Sequence, residues 1–133
     1  MRKALVTLKM AGFTDEKSKE ILDRMPAQLS EGERHRVALA QVLIREPRIV
    51  ILDEPTGTMD PITKIDVKHS IMHTREEMDE TFIVVSHDME FVRDICDRLA
   101  LMRAGKIIQI GKTAEVLAIL TEEERKVMSQ PTA

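Results

Sequence analysis

Apolar residues recur at loose helical spacing over residues 2–11 (Leu5, Leu8, Met10), and the pattern stops at Gly12, a residue suited to the position just past a helix end. Thr14 reads as an N-cap with Asp15 and Glu16 in the first turn, where acids suit the helix dipole. This second helix runs to about Arg24 and stops before Pro26. A helical hairpin is expected here, with apolar side chains that pack and carry no chemistry. A third helix follows Leu29-Ser30-Glu31-Gly32-Glu33. Ser30 and Glu33 have the spacing of a capping box, and Val37, Ala38, Leu39, Ala40, Val42, Leu43 and Ile44 make the helix behind it mostly buried.

The rhythm changes at Ile49. The run Ile49-Val50-Ile51-Leu52 is short, branched and ended by Asp53-Glu54-Pro55, which predicts a strand buried on both faces. Asp60 and Pro61 then have the order of an N-cap and a first helical residue, for a helix reaching about Met78. Thr81 to Val85 is a second β-branched strand. Thr113 is placed to cap a helix over Ala114 to Leu120, and Thr121-Glu122-Glu123-Glu124 could open another turn before a polar tail.

Two acids at the end of a buried strand need a cation or a proton. One can bind Mg²⁺ while its neighbour polarises a water, as in phosphoryl transfer; a strand ending in a solvated Asp-Glu-Pro turn is the plainer alternative. A capped helix start with a glycine beside the serine is likewise either a phosphate site or simply a good cap.

Composition narrows the classes. The 133 residues make one small domain at most, with 32% charged and 43% apolar residues, as in ordinary globular chains. A net charge of −3 argues against nonspecific nucleic-acid binding and anionic membrane surfaces. Three Phe with neither Trp nor Tyr disfavours base-stacking platforms. The single Cys96 cannot form an internal disulfide, reads as a buried structural thiol, and suits a reducing cytoplasm. No apolar run reaches the ~20 residues of a membrane helix.

In this order and spacing, Leu29 to Glu33, the helix after it and Ile49 to Pro55 resemble the signature motif and Walker B segment of ABC-type ATPases. Thr58-Met59-Asp60 is similar to the D-loop, Ser86-His87-Asp88 to the switch-histidine loop, and Arg98 to Met102, Gly105 and Lys106 to Ile110 to the late hairpin. The resemblance covers nearly the whole chain. It implies an α/β chain with a partial P-loop NTPase (ABC ATPase) fold. The helical subdomain and signature helix would occupy 1–45. Walker B, D-loop, switch and hairpin would occupy 46–120, forming the second half of a mostly parallel sheet, and 121–133 would be a tail.

The roles carried over follow residue by residue. Asp53 would bind Mg²⁺, Glu54 would polarise the attacking water and His87 would contact the γ-phosphate. Ser30, Gly32 and Glu33 would hold the γ-phosphate of an ATP bound mainly to a facing domain, and Asp60 would couple the two. His35, His69 and His73 stand in no such motif and read as ordinary helix residues.

Two departures bear on this. Glu31 and Glu33 stand where the family usually has glycine and glutamine, and Arg34 and Arg36 are the nearby candidates to offset their charge. No Gly-x-x-x-x-Gly-Lys-[Ser/Thr] loop is present: Gly105 lies one residue too far from Gly111-Lys112-Thr113, and the glutamine loop is also missing. The resemblance is therefore to the C-terminal half of an ABC ATPase domain, without the phosphate-loop strand that lies centrally in the family's sheet. Its absence is expected to split the sheet and leave open edges. The expected partner is a second ABC half or domain supplying the Walker A loop, and no hydrolysis is expected from the chain alone.

Residues 24–40, 55–61 and 86–97 are most similar to the soluble tandem ABC ATPases that support ATP-dependent activation of methyl-coenzyme M reductase in methanogenic archaea. That likeness implies the reductase and its activation complex as partners. The alternatives are a nucleotide-binding subunit of an ABC membrane transporter, or a catalytically silent half-domain that only binds a partner.

Overall fold

The computed structural model describes residues 1–57 and 59–129, with side chains through 123. The chain divides into two compact units, Met1–His87 and Asp88–Ala133.

The first unit opens with helices α1 (Arg2–Met10) and α2 (Asp15–Leu22). Thr14 caps α2 by accepting from the Lys17 N–H, as its sequence position predicts. A 3₁₀ turn at Pro26–Gln28 leads into α3 (Glu31–Leu43), then strand β1 (Ile49–Asp53), helix α4 (Pro61–Glu77) and strand β2 (Thr81–Val85). Leu8, Ala11, Phe13, Ile21, Leu39, Ala40, Leu43 and Val50 form the core, with Leu52 and Phe82 packed against it from the strands. Val67 and Ile71 of α4 lie one turn apart and are fully buried. Each stabilises the fold by about 1.5–3 kcal/mol relative to an exposed position.

α4 also secures the end of α1. The last carbonyls of a helix have no partner within it. Here His73 Nε2 lies 3.1 Å from the Lys9 carbonyl, Thr74 Oγ1 donates to the Met10 carbonyl at 2.9 Å, and Ser70 Oγ donates to the Ala11 carbonyl. A carbonyl only accepts, so Nε2 of His73 carries a hydrogen. The chain leaves this clamp through Gly12 at φ +106°, where a Cβ would come within 3.3 Å of Ser70 Oγ. Glycine is needed there for both the conformation and the close approach.

β1 and β2 pair in parallel, with Ile51 opposite Ile83 and Asp53 opposite Val85. Only one face of this sheet is covered. Val50 is buried, whereas Ile49, Ile51, Ile83 and Val85 on the other face are 56%, 66%, 47% and 51% exposed. The expectation of a strand buried on both faces is thus wrong for β1. An apolar run records that a strand suits a dry environment, not how many layers this chain itself supplies.

The second unit contains α5 (Met89–Ile95), an antiparallel hairpin of β3 (Arg98–Arg103) and β4 (Lys106–Lys112), and α6 (Thr113–Ser129). Gly105 makes the turn at φ +76°. Phe91, Val92, Ile95 and Val116 are its buried apolar residues. The strands thus form two separate two-stranded sheets, the split expected for a chain lacking the central phosphate-loop strand.

Three local expectations change here. Thr113 does not cap α6 from outside: its hydroxyl donates to the Cys96 carbonyl at 2.7 Å. Thr121 does not open a new helix, because α6 runs through it and its hydroxyl bonds back to the Leu117 carbonyl at 2.9 Å. Cys96 is half-buried at the end of α5, not enclosed. Thr58 and residues 130–133 of the tail lie outside the described residues.

Candidate functional site

Parallel neighbours end side by side, so the pairing of β1 with β2 sets the segments after Asp53 and Val85 next to each other. The Glu54 N–H donates to the Val85 carbonyl at 2.7 Å, extending the ladder by one residue. Glu54 then turns sharply, at φ +48°, and its carbonyl accepts from the Gly57 N–H at 3.1 Å. A non-glycine residue in this region costs about 1 kcal/mol or more and is held only by its surroundings. Here the ladder bond, the turn bond and the buried Thr56 hold it.

The turn aims the Glu54 side chain at His87, 33 residues later. His87 Nδ1 lies 2.8 Å from Glu54 Oε1, with the imidazole 84% and the carboxylate 38% exposed. A carboxylate accepts, so Nδ1 carries the hydrogen and Nε2 points away from the pair. Asp53 is exposed at the end of β1 beside them. Among the described residues no group of three or more His, Cys, Asp or Glu could hold a metal ion by itself. One exposed carboxylate at a strand end suits Mg²⁺, which binds through one or two carboxylates together with phosphate oxygens and water.

A second cluster sits at the start of α3. Ser30 Oγ accepts from the Glu33 N–H at 3.1 Å, and Glu33 Oε1 accepts from the Ser30 N–H at 2.9 Å, closing the capping box. The Glu33 carboxyl is held below the usual glutamate range, chiefly by that Ser30 N–H and further by Lys17, against a burial effect that raises it. Gly32 is buried against the first turns of α4. A Cβ there would meet Thr63, Asp66 and Arg36 only at ordinary van der Waals distances of 3.7–4.0 Å. Packing therefore does not demand a glycine at this position.

Asp60 caps α4: Oδ1 accepts from the Ile62 and Thr63 N–H groups, both at 3.0 Å, and Oδ2 from the Thr63 hydroxyl at 2.7 Å. These bonds, the Thr63 hydroxyl first, hold its carboxyl below the usual aspartate range.

The structure thus joins Glu54 to His87, with Asp53 next to Glu54 in the chain, and sets Gly32 against the helix that Asp60 caps while Glu33 faces Lys17 and Arg24. Among the described residues no hydrogen bond or ion pair joins the two clusters. The charge partners of Glu33 differ from those expected. Glu33 Oε2 pairs with Lys17 Nζ at 3.2 Å and Arg24 Nη1 at 3.9 Å. Arg36 instead bonds the Gly32 carbonyl at 3.4 Å and stacks on the Phe13 ring, 4.9 Å from its centre. Lys17 and Arg24 were not foreseen, because they reach Glu33 across the Pro26–Gln28 turn and no helical spacing signals that approach.

The family model described as ABC transporter matches residues 1–57. An uncharacterized ABC transporter ATP-binding protein of Methanocaldococcus jannaschii is 60% identical over 126 residues, covering 95% of this chain and 23% of that protein. Among solved structures, cbiO1 from Clostridium perfringens, part of the ABC transporter complex cbiONQ, superimposes with a TM-score of 0.78 at 33% identity, covering 95% of this chain and 48% of that one. A dimeric ATP-binding cassette in a post-hydrolysis state, bound to ADP and Pi, gives a TM-score of 0.63 at 30% identity, covering 84% of this chain and 46% of the other. The chain therefore spans about a quarter of its curated relative and about half of each solved cassette. The first two of these carry transporter names and none names reductase activation, which favours the transporter reading.

Proposed function

We propose that the chain carries part of an ABC-type ATPase domain, the signature-and-switch half of a nucleotide-binding subunit of an ABC transporter, serving ATP hydrolysis; the family match over residues 1–57 and the fold shared with its solved relatives support this. The observation that carries this reading is the 2.8 Å contact between Glu54 and His87 at the ends of two parallel strands. A carboxylate and an imidazole at the carboxyl end of such a sheet stand where ligands of open α/β folds bind.

In this reading Asp53 offers Mg²⁺ one hard oxygen, and the ion, when bound, neutralises phosphate charge. Glu54 is the general base that orients and polarises the attacking water. His87 holds Glu54 through Nδ1 and turns Nε2 to the terminal phosphoryl group. Ser30, Gly32 and Glu33 form a helix N-terminus for the γ-phosphate of an ATP held by a facing domain. The tolerance of Gly32 for a Cβ supports a ligand rather than packing as the reason for that glycine. The lysine and backbone amides that grip the phosphates come from a phosphate-loop half outside these 133 residues. Asp60 orients α4 at the interface with the facing domain.

The test is Glu54→Gln in the chain joined to a phosphate-loop half. Mg-ATP turnover is expected to fall about 10²-fold or more while ATP binding survives, the usual signature of a lost general base. Unchanged turnover would instead support a silent half-domain.

A further inference from the structure

The reading above leaves a negative side chain, Glu33, in a turn assigned to a triphosphate, and the structure shows what surrounds it. The side chain is only 12% exposed. Its Oε1 is committed to the Ser30 N–H at 2.9 Å. Its Oε2 faces α2, with Lys17 Nζ at 3.2 Å and Arg24 Nη1 at 3.9 Å. Both bases also reach Glu20, Lys17 at 3.5 Å and Arg24 through its other guanidinium nitrogen. Two acids and two bases alternate in one network, so the cluster carries no net charge. The bases are about a third exposed, 36% for Lys17 and 32% for Arg24, and the carboxylate between them is nearly covered. Salt screens such a pair less than one wholly in solvent.

We propose that Lys17 and Arg24 are positioning residues for the nucleotide-binding turn Ser30–Glu33: they cancel the Glu33 charge and hold its carboxylate in the cap, so that it serves as a neutral side chain would. This rests on the nucleotide reading of that turn. The geometry gives the network two effects. With both bases removed, Glu33 stands as an uncompensated anion beside the phosphates, and like charges repel. Its Oε2 also loses the contacts that keep the side chain from swinging out of the cap, which leaves the Ser30 N–H without its acceptor. Both effects weaken capture of the triphosphate. Neither involves the Glu54–His87 pair, which no hydrogen bond or ion pair joins to this cluster among the described residues.

The experiment is steady-state Mg-ATP turnover of the chain assembled with a phosphate-loop half. It compares wild type, Lys17→Gln with Arg24→Gln, Glu33→Gln, all three substitutions together, and Ser30→Ala. Glutamines keep the aliphatic stems, and thermal melts confirm folding; if the paired variant does not fold, Lys17→Gln alone is read in its place. The paired variant is expected to raise KM about three- to tenfold with kcat nearly unchanged, the range for losing two partly exposed charge contacts. In the Glu33→Gln background the same two substitutions are expected to change KM by less than about twofold, because no charge remains to cancel. Equal KM effects in both backgrounds would overturn the proposal. So would an unchanged KM in the paired variant alongside a raised KM in Ser30→Ala, with the nucleotide reading left standing. If Ser30→Ala also leaves KM unchanged, the turn does not bind nucleotide and both readings fall.

Discussion

His35 shows how much of a residue's chemistry depends on depth. It sits in the third helix with Nδ1 buried and no hydrogen-bond partner. Burial, and then the neighbouring Arg36, hold its protonation below the usual histidine range. Below roughly pH 6.5 an unfolded histidine takes up a proton that the folded one resists. The unfolded state then binds more protons, so this contribution to stability is full above the ordinary value and is lost as pH falls from there toward the depressed folded value. The depressed Glu33 acts in the same direction further down, below the ordinary glutamate value. His35→Leu is therefore expected to reduce the loss of thermal stability between pH 7.5 and 5.5, with a gain of about 1 kcal/mol at neutral pH from removing an unpaired buried polar atom. Melts of the two proteins at both pH values check this, and identical acid sensitivity would refute it. Sequence reading classed His35 with His69 and His73 as ordinary helix residues. Helical spacing places such a residue on a turn, but Arg36 stacking on Phe13 and the depth of the ring belong to packing.

At the scale of elements, the helix starts of the first unit were legible because their chemistry is local, whereas the caps expected at Thr113 and Thr121 did not form. Thr14, Ser30 and Asp60 all cap the helices they were expected to cap. Helix ends fastened by distant partners were not legible. The carbonyls of Met10 and Ala11 are satisfied by Thr74 and Ser70, which lie 64 and 59 residues away in sequence. Thr74 is wholly buried, and its single hydroxyl hydrogen is shared between the Met10 carbonyl at 2.9 Å and the Ser70 carbonyl of its own helix at 2.8 Å. Valine has nearly the same shape without the hydroxyl. Thr74→Val is expected to cost about 1 kcal/mol, since it removes a partner of the part-buried Met10 carbonyl. Urea unfolding checks this, and a midpoint shift worth less than about 0.5 kcal/mol would mean that the clamp contributes little. The candidate site was legible in the same partial way. Asp53, Glu54 and His87 could be placed at the ends of two neighbouring strands. The left-handed turn at Glu54 that joins two of them could not, because no sequence rule favours that conformation for glutamate.

At the scale of the molecule, the first sheet leaves a row of branched side chains in solvent. Ile51 and Ile83 lie directly opposite each other, flanked by Ile49 and Val85, and all four are between 47% and 66% exposed. The face is apolar on a sheet of only two strands, an arrangement that is marginal without further packing. The solved cassettes that this chain matches are about twice its span. These facts fit a face that the complementary half of the domain covers. An apolar face of this kind also drives association between copies when left open. Ile51→Thr with Ile83→Thr, which keeps a β-branched pair across the ladder, is expected to lower the apparent mass of the 133-residue chain at micromolar concentration in sedimentation, and to weaken recovery of ATP turnover when a phosphate-loop half is added. Its unfolding midpoint should shift by no more than about 0.5 kcal/mol, because both side chains already face water. A large loss of stability would mean that the chain itself buries this face in solution. Unchanged recovery of turnover would mean that the partner docks elsewhere. A drop in mass and recovery at constant stability is the result that identifies the face as the seat of an added phosphate-loop half.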